Sequence, residues 1–314
     1  MKTKKDIKIS IIIPAKNEQE SINKLYHEIK KIFKTLQESY EIIFIDDGST
    51  DKTYEKMLAI SKKDINIKIV KFRGNFGKSA ALQTGFQKAR GEIVFTMDAD
   101  LQDDPVEIPR FLKKIDEGYD LVSGWKKRRN DPISKTLPSR VINTTTRFLT
   151  GVKIHDINCG FKAYKNGVVK DLKLYGELYR YIPIIVAKDN YKVGEISVKH
   201  RSRKFGRSKY GMGRFIKGFM DLITIIFLTG YFKRPAHFFG TLGFASFSGG
   251  FIIGLYITYL RITTGGIDSR HPLLYLGMLL MIIGVQLVST GLLAEMIIHK
   301  NANKDTQRLI LEEI

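Results

Sequence analysis

The sequence has one cysteine, Cys159, one tryptophan, Trp125, and eight prolines in 314 residues. A lone thiol excludes a disulfide scaffold and any zinc site built from several cysteines of one chain. Acidic residues are scarce: 32 Asp+Glu against 52 Lys+Arg leaves a formal charge of +20. Such an excess points to an anionic partner, whether nucleic acid, a membrane surface or a phosphorylated substrate. Two nucleotide-binding signatures are also missing. No GxGxxG follows the first strand-like run and no GxxxxGK[ST] occurs at all, which argues against a dinucleotide oxidoreductase and a P-loop NTPase. Apolar residues are not scarce. At 43% of the chain they suffice for a sizeable core and exclude a wholly disordered protein.

The mean hydropathy of −0.13 averages two unlike regions. From Pro235 to Leu260, and again from Pro272 to Ala294, there is no Asp, Glu, Lys or Arg. A helix needs about 20 mainly apolar residues to cross a hydrocarbon core of about 30 Å, so each run is long enough. Soluble helices of this length show a polar face. We therefore expect a transmembrane hairpin over 235–298, with spans near 236–260 and 272–294. Lys and Arg crowd the flanks (Lys217, Lys233, Arg234, Lys300, Lys304, Arg308), whereas the turn holds only Arg261 and Arg270. The positive-inside rule then puts the turn outside, and both the N-terminal part and the 299–314 tail in the cytoplasm. Residues 212–234 carry Lys217 and Asp221 among apolar residues and read as an interfacial helix on the cytoplasmic leaflet. The expected location is thus a cell (plasma or inner) membrane, multi-pass, with the larger domain on the cytoplasmic face.

Residues 1–211 alternate in period. Strands are expected at Lys8–Ile13, Tyr40–Ile45, Ile65–Phe72, Glu92–Met97 and Tyr119–Ser123. Helices are expected at Glu18–Leu36, after Thr50/Asp51, at Lys78–Arg90 and at Pro105–Glu117. This β-α-β alternation is the pattern of an α/β, Rossmann-like, mostly parallel sheet with flanking helices. Ligands bind such sheets at the carboxyl ends of strands. The clusters Pro14-Ala15-Lys16-Asn17-Glu18, Asp46-Asp47-Gly48-Ser49 and Asp98-Ala99-Asp100 all fall there. Two carboxylates spaced as in Asp98-x-Asp100 suit a hard divalent cation shared with substrate phosphates, and such a cation neutralises charge on a departing diphosphate.

Seven stretches in order carry a resemblance: IIIPAKNE (11–18), FIDDGSTD (44–51), GNFGKSAALQTGF (74–86), TMDADLQDDPVEIP (96–109), HDINCGFKAYK (155–165), YGELYRYIP (175–183) and RKFGRSKYG (203–211). With the hairpin, they make the chain resemble the family-2 glycosyltransferases of the polyprenyl-phosphate type, which have a GT-A fold. That group includes bactoprenol glucosyltransferase and dolichyl-phosphate mannose synthase. The resemblance implies that Pro14, Ala15, Asn17, Glu18, Asp46, Lys78, Ala99 and Gln102, with Asp98 and Asp100, bind a nucleotide-sugar. It implies that Asp98 and Asp100 hold Mg2+ or Mn2+, and that Asp156 stands near the donor sugar and reacting centre.

The basic stretches fit the same picture. Between Lys199 and Lys217 there are eight Lys/Arg and no acid, a run suited to anionic headgroups. The resemblance singles out Arg203, Ser208 and Lys209 of the R-x-x-G-x-S-K element, together with Lys126, Arg128 and Arg140, as ligands of an acceptor phosphate. Arginine suits that role because its planar fork pairs bidentately.

The implied reaction is inverting transfer of a hexose, UDP-glucose being the first-choice donor, to undecaprenyl or dolichyl phosphate, for modification of a cell-envelope glycan. GDP-mannose and a UDP-N-acetylhexosamine are the alternative donors. The acceptor phosphate is already ionised, so no strong base is required. A flippase and a homo-oligomer such as a tetramer are expected partners; nucleic acid is not. A processive polysaccharide synthase would carry Q-x-x-R-W, but Trp125 lies in SGWKK. A basic binding protein would leave the ordered carboxylates without a role.

Overall fold

In a computed structural model of the chain, the described residues are 7–127, 147, 150–201, 235–267 and 269–302. Arg128, Arg140, Arg203, Ser208, Lys209 and the 212–234 segment lie outside them. The chain divides into two compact units, residues 1–225 and 226–314.

The first unit begins with β1 (Ile9–Ala15), α1 (Ile22–Leu36), β2 (Tyr40–Asp46), α2 (Thr53–Ser61), β3 (Ile67–Lys71), α3 (Lys78–Lys88) and β4 (Ile93–Thr96). After a 3-10 turn at Pro105–Glu107 come α4 (Ile108–Asp116), β5 (Leu121–Trp125), β6 (Lys162–Lys165), α5 (Asn166–Asp171), α6 (Ile182–Lys188) and β7 (Val193–Ser197). Central strands are apolar on both faces because helices cover both. Ile9, Ile11, Ile12 and Ile13 of β1 are fully buried, as are Ile42, Ile43, Phe44 and Ile45 of β2, the pattern of a parallel sheet. α1 buries Ile22, Leu25, Tyr26, Ile29 and Phe33 along one stripe, the helical spacing read from the sequence. Asp51 accepts the Thr53 N–H at 2.9 Å and so serves the start of α2, as its residue type anticipates.

The sheet order is β3-β2-β1-β4-β6-β5-β7. β1 pairs in parallel with β2 and β4, β2 with β3, and β5 with β7. β6 is antiparallel to both β4 and β5. β4 and β5 therefore run the same way, and their carboxyl ends share an edge with those of β1 and β2 and with the start of β6. This insertion departs from the simple alternation read from the sequence. Its consequence is local: the loop entering β6, residues 154–161, arrives at the edge where β4 ends.

Among its described residues the second unit has two helices, α7 (Pro235–Thr264) and α8 (His271–Ala302), both extending past the spans expected from composition. They are apolar and mostly exposed along their length. Both helices are long and apolar enough to cross a membrane, and Phe244, Ile262, Ile282 and Met296 face outward. Glycine allows the close approach of the pair. A Cβ on Gly243 would lie 2.6 Å from the Gly284 carbonyl oxygen, and one on Gly250 would lie 2.5 Å from that of Gly277. Ser246 Oγ donates to the Leu280 carbonyl at 2.9 Å. Small residues and interhelical hydrogen bonds are how helices associate where no hydrophobic force separates them from lipid.

Candidate active site

The site is assembled from loops at the shared strand edge. The β1 loop is tied to the β2 loop: Asn17, at φ 54°, accepts the Thr50 N–H at 2.8 Å, and its own N–H donates to Ser49 Oγ at 3.0 Å. Glu18 turns toward the start of α1. It accepts the Ser21 hydroxyl at 3.0 Å while its N–H donates to Thr53 Oγ1 at 2.8 Å. Pro14 and Ala15 are the last residues of β1, paired with Ile45 and Asp46. Asp46 is fully buried; one oxygen accepts the Ser49 N–H at 3.1 Å, and the other has no partner among the described residues. Asp47 fixes the glycine-bearing loop, accepting the N–H groups of Phe76 at 2.7 Å and Gly77 at 3.0 Å. That loop delivers Lys78 to the first turn of α3.

Asp98 leaves the end of β4 half-exposed and ion-paired with Lys78. Beneath it is Gly160: a Cβ there would lie 2.5 Å from Asp98 Oδ2. Burial by itself would push the Asp98 carboxyl up, but the Lys78 ammonium, helped by Lys126 and Lys162, holds it below the ordinary carboxylate value. The carboxyl is thus kept ionised. Ala99 is buried, Asp100 accepts the Gln102 N–H at 3.1 Å, and Leu101 between them takes φ 62°. For a leucine this backbone conformation is costly; it reverses the chain so that the loop stays at the strand end. Gln102 Nε2 lies 3.2 Å from His200 Nε2, and the Gln102 carbonyl accepts the Arg201 N–H at 3.0 Å. Arg201 pairs with Glu28 and Asp104, each at 2.7 Å.

The β5 end contributes Lys126. Its side chain is 14% exposed, and Nζ lies 3.4 Å from the buried carboxylate of Asp103. Burial opposes its charge, but Asp103 and the other acidic groups around it, Asp98 and Asp156 among them, together outweigh burial and raise its affinity for the proton. Asp156 is buried, with its carboxylate 3.5 Å from the Lys126 N–H. Two further groups sit under this edge. Lys162, at the start of β6, is buried; its ammonium donates to the Cys159 carbonyl, and burial pushes it down to about 8. Burial pushes the Cys159 thiol up to about 12, so this cysteine is chemically quiet.

Asp98, Asp100, Gln102, Lys78, Lys126 and Asp156 therefore belong to one edge, where the ends of β4 and β5 meet the loop before β6. Residues 10–173 match the family model described as glycosyl transferase family 2. The chain belongs to that family. It is similar to the dodecaprenyl-phosphate galacturonate synthase of Rhizobium johnstonii, 36% identical over 296 residues and spanning 93% of this chain and 88% of the relative. It is also similar to the undecaprenyl-phosphate 4-deoxy-4-formamido-L-arabinose transferase of Salmonella choleraesuis, 34% identical over 292 residues, 92% of this chain and 88% of that one. Among solved structures it resembles glucosyl-3-phosphoglycerate synthase from Mycobacterium tuberculosis in complex with Mn2+ and uridine-diphosphate-glucose. There the TM-score is 0.55 at 20% identity, covering 70% of this chain and 79% of that chain; the likeness shows the GT-A fold. The expected fold class and enzyme class both stand: the protein is a glycosyltransferase.

Several residues to which the sequence assigns no role also stand at this site. Asp47 braces the Lys78 loop, Asp103 neutralises Lys126, Gly160 seats Asp98, and Glu195 of β7 accepts the Asp156 N–H at 2.9 Å. Asp47 belongs to the Asp46-Asp47-Gly48-Ser49 cluster and Asp103 to the TMDADLQDDPVEIP stretch, so their positions, though not their roles, are signalled by the sequence. Gly160 lies in the HDINCGFKAYK stretch, but what it seats, like what Glu195 reaches, is not readable locally because the partners are distant in the chain.

Among the described residues no group of three or more His, Cys, Asp or Glu is gathered to hold a metal ion. The chain offers two hard oxygen donors in Asp98 and Asp100. That set fits a cation of the Mg2+ type, which keeps waters and takes phosphate oxygens to complete its shell; it does not fit an all-protein cage.

Proposed function

We propose that this glycosyltransferase moves a sugar from a nucleoside-diphosphate donor to a polyprenyl phosphate, with inversion, on the cytoplasmic face of a membrane. The carrying observation is the Asp98 carboxylate, kept ionised by Lys78 and seated on Gly160 at the edge where the β1, β2 and β4 loops converge. Support for the acceptor comes from the two curated relatives, both named as polyprenyl-phosphate enzymes, and from the apolar hairpin carried by the same chain. In this reading residues 1–211 are the catalytic domain, 212–234 an interfacial segment, 235–298 the membrane hairpin and 299–314 a cytoplasmic tail.

Asp46, with one oxygen lacking a partner among the described residues, faces the nucleoside, and Pro14, Ala15, Asn17 and Glu18 shape that end of the cleft. Asp98 and Asp100 would hold Mg2+ or Mn2+, which supplies charge neutralisation for the leaving diphosphate. Lys78, already in contact with Asp98, adds positive charge beside that diphosphate. The acceptor phosphate oxygen attacks the anomeric carbon as the bond to the diphosphate breaks. Asp156 orients the acceptor or the sugar rather than taking a proton, since the nucleophile is an anion. Anchoring enzyme and lipid in one membrane turns the encounter into positioning. Lys126 and, outside the described residues, Arg128, Arg140, Arg203, Ser208 and Lys209 are proposed acceptor-phosphate ligands. In this reading Lys126, paired with the buried Asp103, meets the phosphate from within the site.

UDP-glucose remains the first donor to test. The relatives' names add uronate and formamido-pentose donors to the panel beside GDP-mannose and UDP-N-acetylhexosamine. The deciding experiment is turnover of that panel with Mg2+ or Mn2+, with and without undecaprenyl phosphate. Sugar-lipid formed only when polyprenyl phosphate is present supports the reading. Equal release of nucleotide without the lipid, or transfer to a soluble glycan alone, overturns it.

A further inference from the structure

Residues 155–160 carry Asp156 and the turn beneath Asp98, yet they belong to no regular element. Three strands hold them from one row of the sheet. Thr96 of β4 is paired with Lys162 of β6, Lys162 with Ser123 of β5, and Ser123 with Glu195 of β7. Residues paired across a sheet share a face, and here three of the four reach into the same loop. Thr96 Oγ1 donates to the Gly160 carbonyl at 2.8 Å, and the Lys162 ammonium donates to the Cys159 carbonyl. Glu195, with a side chain 10% exposed, takes the other end of the loop. It accepts the His155 N–H at 3.1 Å, His155 Nδ1 at 2.8 Å and the Asp156 N–H at 2.9 Å. The His155 ring is in turn stacked on Trp125 of β5, with centroids 4.3 Å apart and planes 15° apart.

We propose that Glu195 is a positioning residue for the transfer reaction: it fixes the backbone of His155 and Asp156 from β7 and thereby aims the Asp156 carboxylate. The inference rests on the reading that Asp156 stands at the reacting centre. A carboxylate spent on backbone amides is a strong anchor, because charge-assisted hydrogen bonds are about twice as strong as neutral ones. Without it, the Asp156 N–H and the His155 ring both lose a partner at the end of a loop with no ladder of its own. β7 is the edge strand of the sheet, with β4, β6 and β5 between it and β1, so removal of Glu195 acts on the chemical step and spares the nucleotide loops of β1 and β2.

The test uses the full-length enzyme with undecaprenyl phosphate and its best donor. Glu195→Ala is expected to lower kcat about 10- to 150-fold, while the donor KM and UDP affinity stay within about twofold. Glu195→Gln keeps one acceptor for the Asp156 N–H and is expected to recover about a tenfold share of that loss. Adding Glu195→Gln to Asp156→Asn should cost less than about twofold more, because residues acting through one another are not additive. Independent, multiplicative losses in that cycle overturn the proposal, including where Glu195→Ala does not fold. Wild-type kcat in Glu195→Ala beside a crippled Asp156→Asn overturns the proposal alone. Wild-type turnover in Asp156→Asn overturns both the proposal and the reading of Asp156 on which it rests.

Discussion

Replacing Gly160 by alanine tests the Asp98 assignment without touching a charged group. The added methyl carbon would lie 2.5 Å from Asp98 Oδ2, 2.8 Å from Cγ and 3.0 Å from Oδ1. Ordinary contact begins at 3.4 Å, so the nearer oxygen must retreat by roughly 0.9 Å. The obstructing atoms are the end of a half-exposed side chain, which can swing, whereas Gly160 is held through its carbonyl by Thr96 at 2.8 Å. The carboxylate therefore moves and the fold remains. A misplacement of about 1 Å in a catalytic constellation costs about 100-fold, or about 2.7 kcal/mol of transition-state stabilisation. The expected result is kcat/KM down by about that factor, a higher Mn2+ requirement, and a melting temperature within about 3 °C of wild type. Lipid-transfer kinetics across a Mn2+ titration, with thermal melts in the same detergent, measure all three. Wild-type turnover with wild-type Mn2+ dependence would refute the reasoning, since Asp98 would then not need the place in which the structure seats it.

Asp100→Asn should reduce turnover by at least about 100-fold while leaving the circular dichroism spectrum and membrane extraction unchanged; near-normal activity at limiting Mn2+ removes Asp100 from the metal site. Glu41, 1% exposed and bonded to Ser10 and Lys68, each at 2.7 Å, is held below its ordinary value of 4.5: burial opposes this, but Lys68, Ser10 and the Arg90 N–H outweigh it. A lowered folded-state value means that its stabilisation is complete above pH about 4.5 and is lost as pH falls through the folded value. Glu41→Gln should therefore melt about 1–3 kcal/mol less stably at pH 7 and show a shallower acid loss than wild type; superimposable acid slopes contradict this. Cysteine at Ser269 should react with an impermeant thiol reagent in intact cells and cysteine at Lys63 should not, against a silent background because Cys159 is buried. The opposite labelling pattern inverts the topology.

Much of this glycosyltransferase is legible in its sequence because the governing signals are local. A strand covered on both faces is mostly apolar, so Ile9–Ile13, interrupted only by Ser10, and Ile42–Ile45 announce themselves. Charge-free apolar runs long enough to cross a membrane stand out as well, so the helices near 236–260 and 272–294 are legible too, though not their full lengths. The DAD cluster follows a strand in the sequence and stands at a strand end in the fold. The position of β6 was not legible: four residues, KAYK, with a buried lysine at the first, carry no readable period, and antiparallel insertion is a matter of long-range pairing. From that pairing follow the seating of Asp98 on Gly160, separated by 62 positions in the chain, and the reach of Glu195 to Asp156 across 39. Composition and order determine which chemistry the chain carries. Register across the sheet decides which atoms meet, because a hydrogen bond is set by ångströms and a sequence pattern constrains only faces.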